Sequence, residues 1–132
     1  MISKTAVIAY YAQIAPTATV DDGAIVGPWA RVGPWARVGA GVVVGAWASV
    51  SAGAIIGKTS DCLVLGPFGR HNAYLTATRL PTLRVATGCF SGTLEEFEVE
   101  VQKEHGNDEY GPPYLKAIAV IRGWWSQDAE GR

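Results

Sequence analysis

The chain has 132 residues and a formal net charge of −1, a size that suits one compact unit and excludes two large independent domains. So small a net charge argues against a nucleic-acid polymer or a membrane surface as a partner. No apolar run approaches the length of a membrane span and no signal-like segment opens the sequence, so we expect a cytoplasmic protein.

A period of six residues runs through residues 4–59. A β-branched aliphatic residue recurs at every sixth position, in the order Ile8, Ile14, Val20, Val26, Val32, Val38, Val44, Val50 and Ile56. Two positions before each stands a small residue, which is alanine in eight cases and Val42 in the ninth. This period fits neither an amphipathic helix nor an alternating strand. It predicts a chain that turns a corner every six residues, so that nine hexapeptides close three triangular coils with the aliphatic side chains inside.

The pattern resembles the hexapeptide-repeat superfamily, whose β-helices include acyltransferases, γ-class carbonic anhydrases and non-catalytic members. The resemblance covers residues 4–59, and it implies a left-handed parallel β-helix that assembles as a homotrimer. It says little about activity, because one fold supports many functions. A γ-class carbonic anhydrase is disfavoured, since its zinc needs three histidines and the nine hexapeptides contain none.

The predicted coils place residues eighteen apart in columns on the outer surface. The first face carries an apolar ladder of Val7, Ile25 and Val43. The second face carries a polar set of Gln13, Arg31 and Ser49. The corner between the two faces carries an aromatic column of Tyr11, Trp29 and Trp47. The apolar ladder and the aromatic column together are too large to remain exposed to water on a monomer. Their cover is a sister subunit, which we favour, the chain's own C-terminal segment, or a ligand stacked on the tryptophans.

Beyond residue 59 the period ends. Residues 60–92 are expected to form a short strand at 62–65 and a β-hairpin with strands at 73–79 and 84–90. Residues 93–125 are expected to form a helical hairpin, in which a capping box of Thr93 and Glu96 opens the first helix and Pro112-Pro113 the second. Gly106 and Gly123 mark their ends, and residues 126–132 are a tail. The whole chain is predicted to be one mainly β unit, with its C-terminal half capping one end of the β-helix or embracing a neighbour.

A donor-rich set of side chains near the hairpin is the candidate ligand site. It consists of Arg70, His71, Asn72, Thr76, Thr78 and Arg84, with Trp29 or Trp47 as a stacking wall. Arginine, amide and hydroxyl donors suit phosphate or carboxylate oxygens, and Ser91-Gly92-Thr93 adds backbone donors at a helix N-terminus. The alternative is an ordinary polar turn that leads into a solvated strand face.

Three functions remain open from the sequence. We favour a non-catalytic homotrimer, without cofactor or metal, that holds an anionic, nucleotide-like ligand in clefts between subunits, as a phage-type sponge sequestering a signalling nucleotide would. The second is an acyltransferase that uses acyl-coenzyme A, with His71 as its base. The third is a structural trimer with no ligand.

Metal and disulfide chemistry are disfavoured. Cys62 and Cys89 are too few for a disulfide framework and are expected to be free thiols. A zinc site built from these two cysteines and His71 lacks ligand spacing. His105 lies near the predicted end of a helix, where the helix dipole favours it as a cap.

Overall fold

The computed structural model describes residues 1–68, 73–87, 90–106 and 108–125. Its N-terminal part consists of nine two-residue strands, which are β1 (Val7–Ile8), β2 (Gln13–Ile14), β3 (Thr19–Val20), β4 (Ile25–Val26), β5 (Arg31–Val32), β6 (Arg37–Val38), β7 (Val43–Val44), β8 (Ser49–Val50) and β9 (Ile55–Ile56). They form three parallel sheets, sheet 1 (β1-β4-β7), sheet 2 (β2-β5-β8) and sheet 3 (β3-β6-β9). We call this β-helix-like body the parallel stack. The predicted stacking of parallel strands in sets of three is confirmed, while the handedness implied by the family resemblance stays a prediction.

The interior of the stack is built from the repeated aliphatic and alanine positions. From Val20 to Ile56 the inward aliphatic residues are at most 3% exposed, and each strand pairs with the one eighteen residues later, as in Gln13 with Arg31. Ile8 and Ile14, at the N-terminal end, are only half-buried. Burying one such side chain contributes about 1.5–3 kcal/mol, so the repeated core accounts for the stack without any need for long strands.

The corners of the stack require a left-handed backbone. Glycine takes this conformation at three corners, but Tyr11, Trp29, Trp35 and Trp47 take it at four others, with φ between 60° and 66°. For a residue with a Cβ this costs about 1–2 kcal/mol. The backbone N–H of Trp47 donates to the Pro28 carbonyl at 3.1 Å, which ties this corner to the layer before it.

A four-stranded antiparallel sheet follows a short 3-10 helix, Thr59–Asp61. Its strands, in spatial order, are β10 (Cys62–Phe68), β11 (Ala73–Thr78), β12 (Arg84–Thr87) and β13 (Phe90–Thr93). The sequence predicted one strand over 84–90, but the structure has two there, with Arg84 opposite Thr93. Ser91-Gly92 is typical of a loop, which is why the fourth strand was missed.

The antiparallel sheet lies between the parallel stack and two helices, α1 (Leu94–His105) and α2 (Gly111–Trp124). One of its faces packs Cys62 and Val64 against the core of the stack. The other packs Leu75, Ala77 and Val85 against the helices. The alternative of a solvated hairpin face is therefore wrong, because the face that carries Thr76 and Thr78 is covered and both residues are 1% exposed.

The C-terminal half of the chain closes the open end of its own stack. Each strand of the last layer has a backbone N–H that points where a further layer would lie. Val43 N donates to Thr59 Oγ1 at 3.0 Å, and Ser49 N donates to Thr76 Oγ1 at 2.7 Å. Ile55 N donates to the Leu80 carbonyl at 2.8 Å. All three sheets thus receive a substitute acceptor, which removes an edge that would otherwise invite aggregation.

Both helices begin where the sequence predicts. Thr93 Oγ1 accepts from Glu96 N at 3.1 Å, and Thr93 N donates to Glu96 Oε1 at 2.8 Å, which confirms the capping box. Prolines occupy the first turn of α2, which runs one residue beyond Gly123. Among the described residues no helix combines the length and apolar character needed to cross a bilayer.

Candidate functional site

The structure describes three of the six predicted donors, which are Thr76, Thr78 and Arg84. Arg70, His71 and Asn72 lie outside the described residues. Thr76 is buried and accepts the hydrogen bond from Ser49, so it closes the stack rather than facing a ligand. Thr78 is equally buried, and its Oγ1 has no hydrogen-bond partner in the described structure.

Arg84, the remaining described donor of the predicted set, is the first residue of β12. It is directly opposite Thr78 on one side and Thr93 on the other. The guanidinium is near enough to Glu96 to help lower the pKa of that carboxyl, although hydrogen bonds from Thr93 are the larger cause. Arg84 therefore belongs to the electrostatic environment at the start of α1.

The aromatic column is real and longer than predicted. The ring of Tyr11 stacks on Trp29 with centroids 4.4 Å apart, and Trp29 stacks on Trp47 at 5.3 Å. Trp47 continues onto Tyr74, from the antiparallel sheet, at 6.0 Å. The three interplanar angles are 15°, 4° and 11°, so four rings form one nearly parallel pile.

This pile limits what the tryptophans offer to a ligand. The faces of the Trp29 and Trp47 rings are already covered by their neighbours in the column, and only their edges reach solvent, with 43% and 48% of each residue exposed. A planar ligand would have to separate the rings before it could stack between them. The predicted stacking wall is therefore confined to ring edges, which suit contact with a protein surface.

A groove of about 480 Å³ lies along the outer side of sheet 2 and extends toward the corner between sheets 2 and 3, where Pro34 and Ala52 line it. The polar set Gln13, Arg31 and Ser49 forms its floor, one residue from each strand of the sheet. Ala86 and Ser91, from β12 and β13, form a wall that projects past the end of the stack.

The electrostatic character of the groove is set by Arg31. Its side chain is exposed and forms no ion pair within the part of the chain that the structure describes. Arg37 occupies the same position in the next hexapeptide but lies on sheet 3, where its Nε is 3.5 Å from Asp21 Oδ2. The described lining of the groove contains no carboxylate, so Arg31 presents an uncompensated positive charge beside hydroxyl and amide groups.

The sequence contained part of this site. The residues Gln13, Arg31 and Ser49 were expected to face outward in one column, and they do, but nothing in their spacing showed that a wall would stand opposite. The wall comes from strands about 35 to 75 residues further along. Its one sequence signal is the hydroxyl of Ser91, which was singled out for its position before a helix.

Metal binding has no support among residues 1–68, 73–87, 90–106 and 108–125, where no cluster of three metal-binding side chains occurs. Cys62 is a free cysteine, and burial, reinforced by the charge of Asp61, raises the pKa of its thiol to about 12. The zinc alternative also involved Cys89 and His71, which lie outside the described residues. No family model matches the chain, and comparisons with characterised proteins and with solved structures find no match either.

Proposed function

We propose that this protein is a non-catalytic homotrimer of hexapeptide-repeat, left-handed β-helices that binds a small anionic, nucleotide-like ligand in clefts between its subunits. The observation that carries the proposal is the groove on sheet 2, with Arg31, which has no ion pair among the described residues, on its floor. A sponge that sequesters a signalling nucleotide is one role that such a protein would serve.

Self-association is supported by the exposed apolar surface on sheet 1 and at its corner with sheet 2. Val7, Ile25 and Val43 on sheet 1 are 57%, 43% and 44% exposed, and the aromatic column adjoins them. A continuous apolar surface of this kind marks an interface in a soluble protein. The column stands at the corner between sheets 1 and 2, so a subunit that covered it would lie against one border of sheet 2, the sheet that carries the groove. Trimers with cyclic symmetry place three equivalent clefts in this way.

The chemistry of the groove favours an anion. A guanidinium binds phosphate or carboxylate oxygens through paired hydrogen bonds, and the side chains of Gln13, Ser49 and Ser91 can add neutral donors. Pro34 also lines the groove and gives an apolar contact for a ring. The volume of about 480 Å³ lies within the range of about 300–1,000 Å³ typical of small-molecule sites.

The same lining supports binding over catalysis. Among the described residues around the groove there is no histidine, cysteine or carboxylate that could act as a base or nucleophile. The acyltransferase alternative depends on His71, which lies outside the described residues. It is tested by the same experiment.

The experiment is a thermal-shift titration with cyclic and linear nucleotides and with acetyl-coenzyme A. A ligand at about a hundredfold excess over its Kd stabilises the folded protein by about 2.7 kcal/mol. We expect nucleotides to stabilise the wild type and Arg31→Gln to weaken that binding about tenfold or more, since a hydrogen bond to a charged group contributes about 1.5–3 kcal/mol. Arg37→Gln is the matched control, because it removes the same side chain from the next hexapeptide, and it should bind as the wild type does.

The other outcomes identify the alternatives. Stabilisation by acetyl-coenzyme A alone, lost in His71→Ala, would establish the acyltransferase and overturn the binder. No stabilisation by any compound would leave a structural trimer.

The trimer itself is tested by sedimentation. The double variant Trp29→Asp/Trp47→Asp should sediment as a monomer, while Trp35→Asp, an equally strained corner outside the column, should not change the oligomer. An unaltered sedimentation profile in the double variant would rule out this interface.

A further inference from the structure

A second pocket lies on the opposite side of the antiparallel sheet, between β12, β13 and the two helices, with a volume of about 350 Å³. Its walls are largely aromatic. Phe90 and Phe97 have ring centroids 5.3 Å apart, Phe97 meets Tyr114 edge to face at 5.7 Å, and the His105 ring lies nearly parallel to Tyr114 at 5.9 Å. Four rings therefore line one small space.

Two carboxylates stand at the same pocket. Glu100 and Glu104 are one helical turn apart on α1, and both line the cavity. The surroundings are acidic as well: the described residues from 90 to 125 carry seven Asp and Glu side chains against three Lys and Arg. The parallel stack has the opposite balance, with two acidic and four basic residues between positions 1 and 58. The two pockets thus lie in regions of opposite charge.

We propose that the pocket binds a small organic cation with an alkylammonium group. The aromatic rings of Phe90 and Tyr114 line the pocket beside the carboxylates, and an aromatic ring attracts a cation placed over its face. Glu100 and Glu104 supply the compensating negative charge. This site shares Phe90 with the lining of the groove on sheet 2, but it uses different charged residues and takes a ligand of opposite charge, so its test is independent of the proposed anion binding.

The test is an NMR titration of the full chain with choline and with ethanolamine, which distinguish a quaternary from a primary ammonium. The ring protons of Tyr114 and His105 report on the site directly. The matched ligand control is 3,3-dimethyl-1-butanol, which has the shape of choline without its charge. We expect saturable shifts of the ring signals with at least one of the two cations, and binding of the neutral alcohol that is at least about tenfold weaker, since cation–π attraction and ion pairing are both lost.

The protein variants separate charge from fold. Glu100→Gln/Glu104→Gln should weaken cation binding about tenfold or more, whereas Glu95→Gln, which removes a carboxylate from the same helix away from the pocket, should bind as the wild type does. Unperturbed backbone amide spectra confirm that each variant is folded. The proposal is overturned if neither cation gives a saturable shift, if the neutral alcohol binds equally well, or if the double variant keeps the wild-type affinity.

Discussion

Two buried threonines on the same face of β11 are predicted to respond in opposite ways to the same substitution. Thr76 and Thr78 are both 1% exposed. Thr76 Oγ1 accepts the backbone N–H of Ser49 at 2.7 Å, while Thr78 Oγ1 has no partner in the described structure. Replacement by valine keeps the shape of each side chain and exchanges the hydroxyl for a methyl group. The pair therefore isolates the value of one hydrogen bond at the end of the parallel stack.

The magnitudes follow from that difference. In Thr76→Val the Ser49 N–H loses its only acceptor, and an orphaned donor costs about 1–3 kcal/mol. The added methyl group recovers about 0.8 kcal/mol, so we expect a net loss of about 0.2–2 kcal/mol. Thr78→Val breaks no hydrogen bond and removes an unpaired polar atom from the interior. We expect it to be neutral or to stabilise the protein by up to about 1 kcal/mol.

The assay is urea unfolding followed by tryptophan fluorescence at a single protein concentration, because self-association changes the apparent stability. A thermal melt should show the same signs, with roughly 3 °C for each kcal/mol in a chain of this size. Equal losses of stability in both variants would refute the reasoning. They would show that the hydrogen bond between Ser49 and Thr76 contributes no more to stability than the unpaired hydroxyl of Thr78.

Three further predictions concern the column, the thiol and the helix cap. Trp29→Gly and Trp35→Gly both relieve the strain of a left-handed corner, which is about 1 kcal/mol. Of these two tryptophans only Trp29 has stacked neighbours to lose. Urea unfolding should therefore show a loss of stability for Trp29→Gly and no loss for Trp35→Gly. In a Cys89→Ser background Cys62 should resist alkylation near neutral pH, because burial raises the pKa of its thiol to about 12. Since the folded pKa lies above the ordinary value near 9, the contribution of Cys62 to stability is complete below that pH and is lost as the pH rises toward 12. Rapid labelling of the native protein in mass spectra would contradict this account. Thr93→Ala removes the cap of α1 and should cost about 1 kcal/mol in urea unfolding, with Thr82→Ala, an exposed threonine, as the unaffected control.

The Thr76 and Thr78 pair also shows where reasoning from the sequence reached its limit. Their alternation with Leu75 and Ala77 correctly separated the two faces of β11. It predicted water on the polar face, whereas the structure has the end of the parallel stack there. The alternation of polar and apolar residues cannot distinguish these environments, because a threonine hydroxyl can form a hydrogen bond with water or with an unpaired backbone N–H group.

The aromatic column was predictable in part for a similar reason. Tyr11, Trp29 and Trp47 are eighteen residues apart, and this separation is the register of the parallel strands. Tyr74 joins the same pile from outside the period, so no spacing rule announces it. The groove on sheet 2 was also predictable only in part, because its floor repeats every eighteen residues and its wall does not.

The period of six determined the stacked parallel strands, the inward aliphatic core and the outward columns, because in a repeating backbone each local position also defines its neighbour in the next layer. The capping box and the prolines likewise determined where the helices begin, since those interactions span only a few residues. Only the tertiary structure decided which polar groups close the end of the stack, which rings extend the column and where the two pockets lie. These features depend on contacts between segments far apart in the chain, and such contacts leave no periodic trace in the order of the residues.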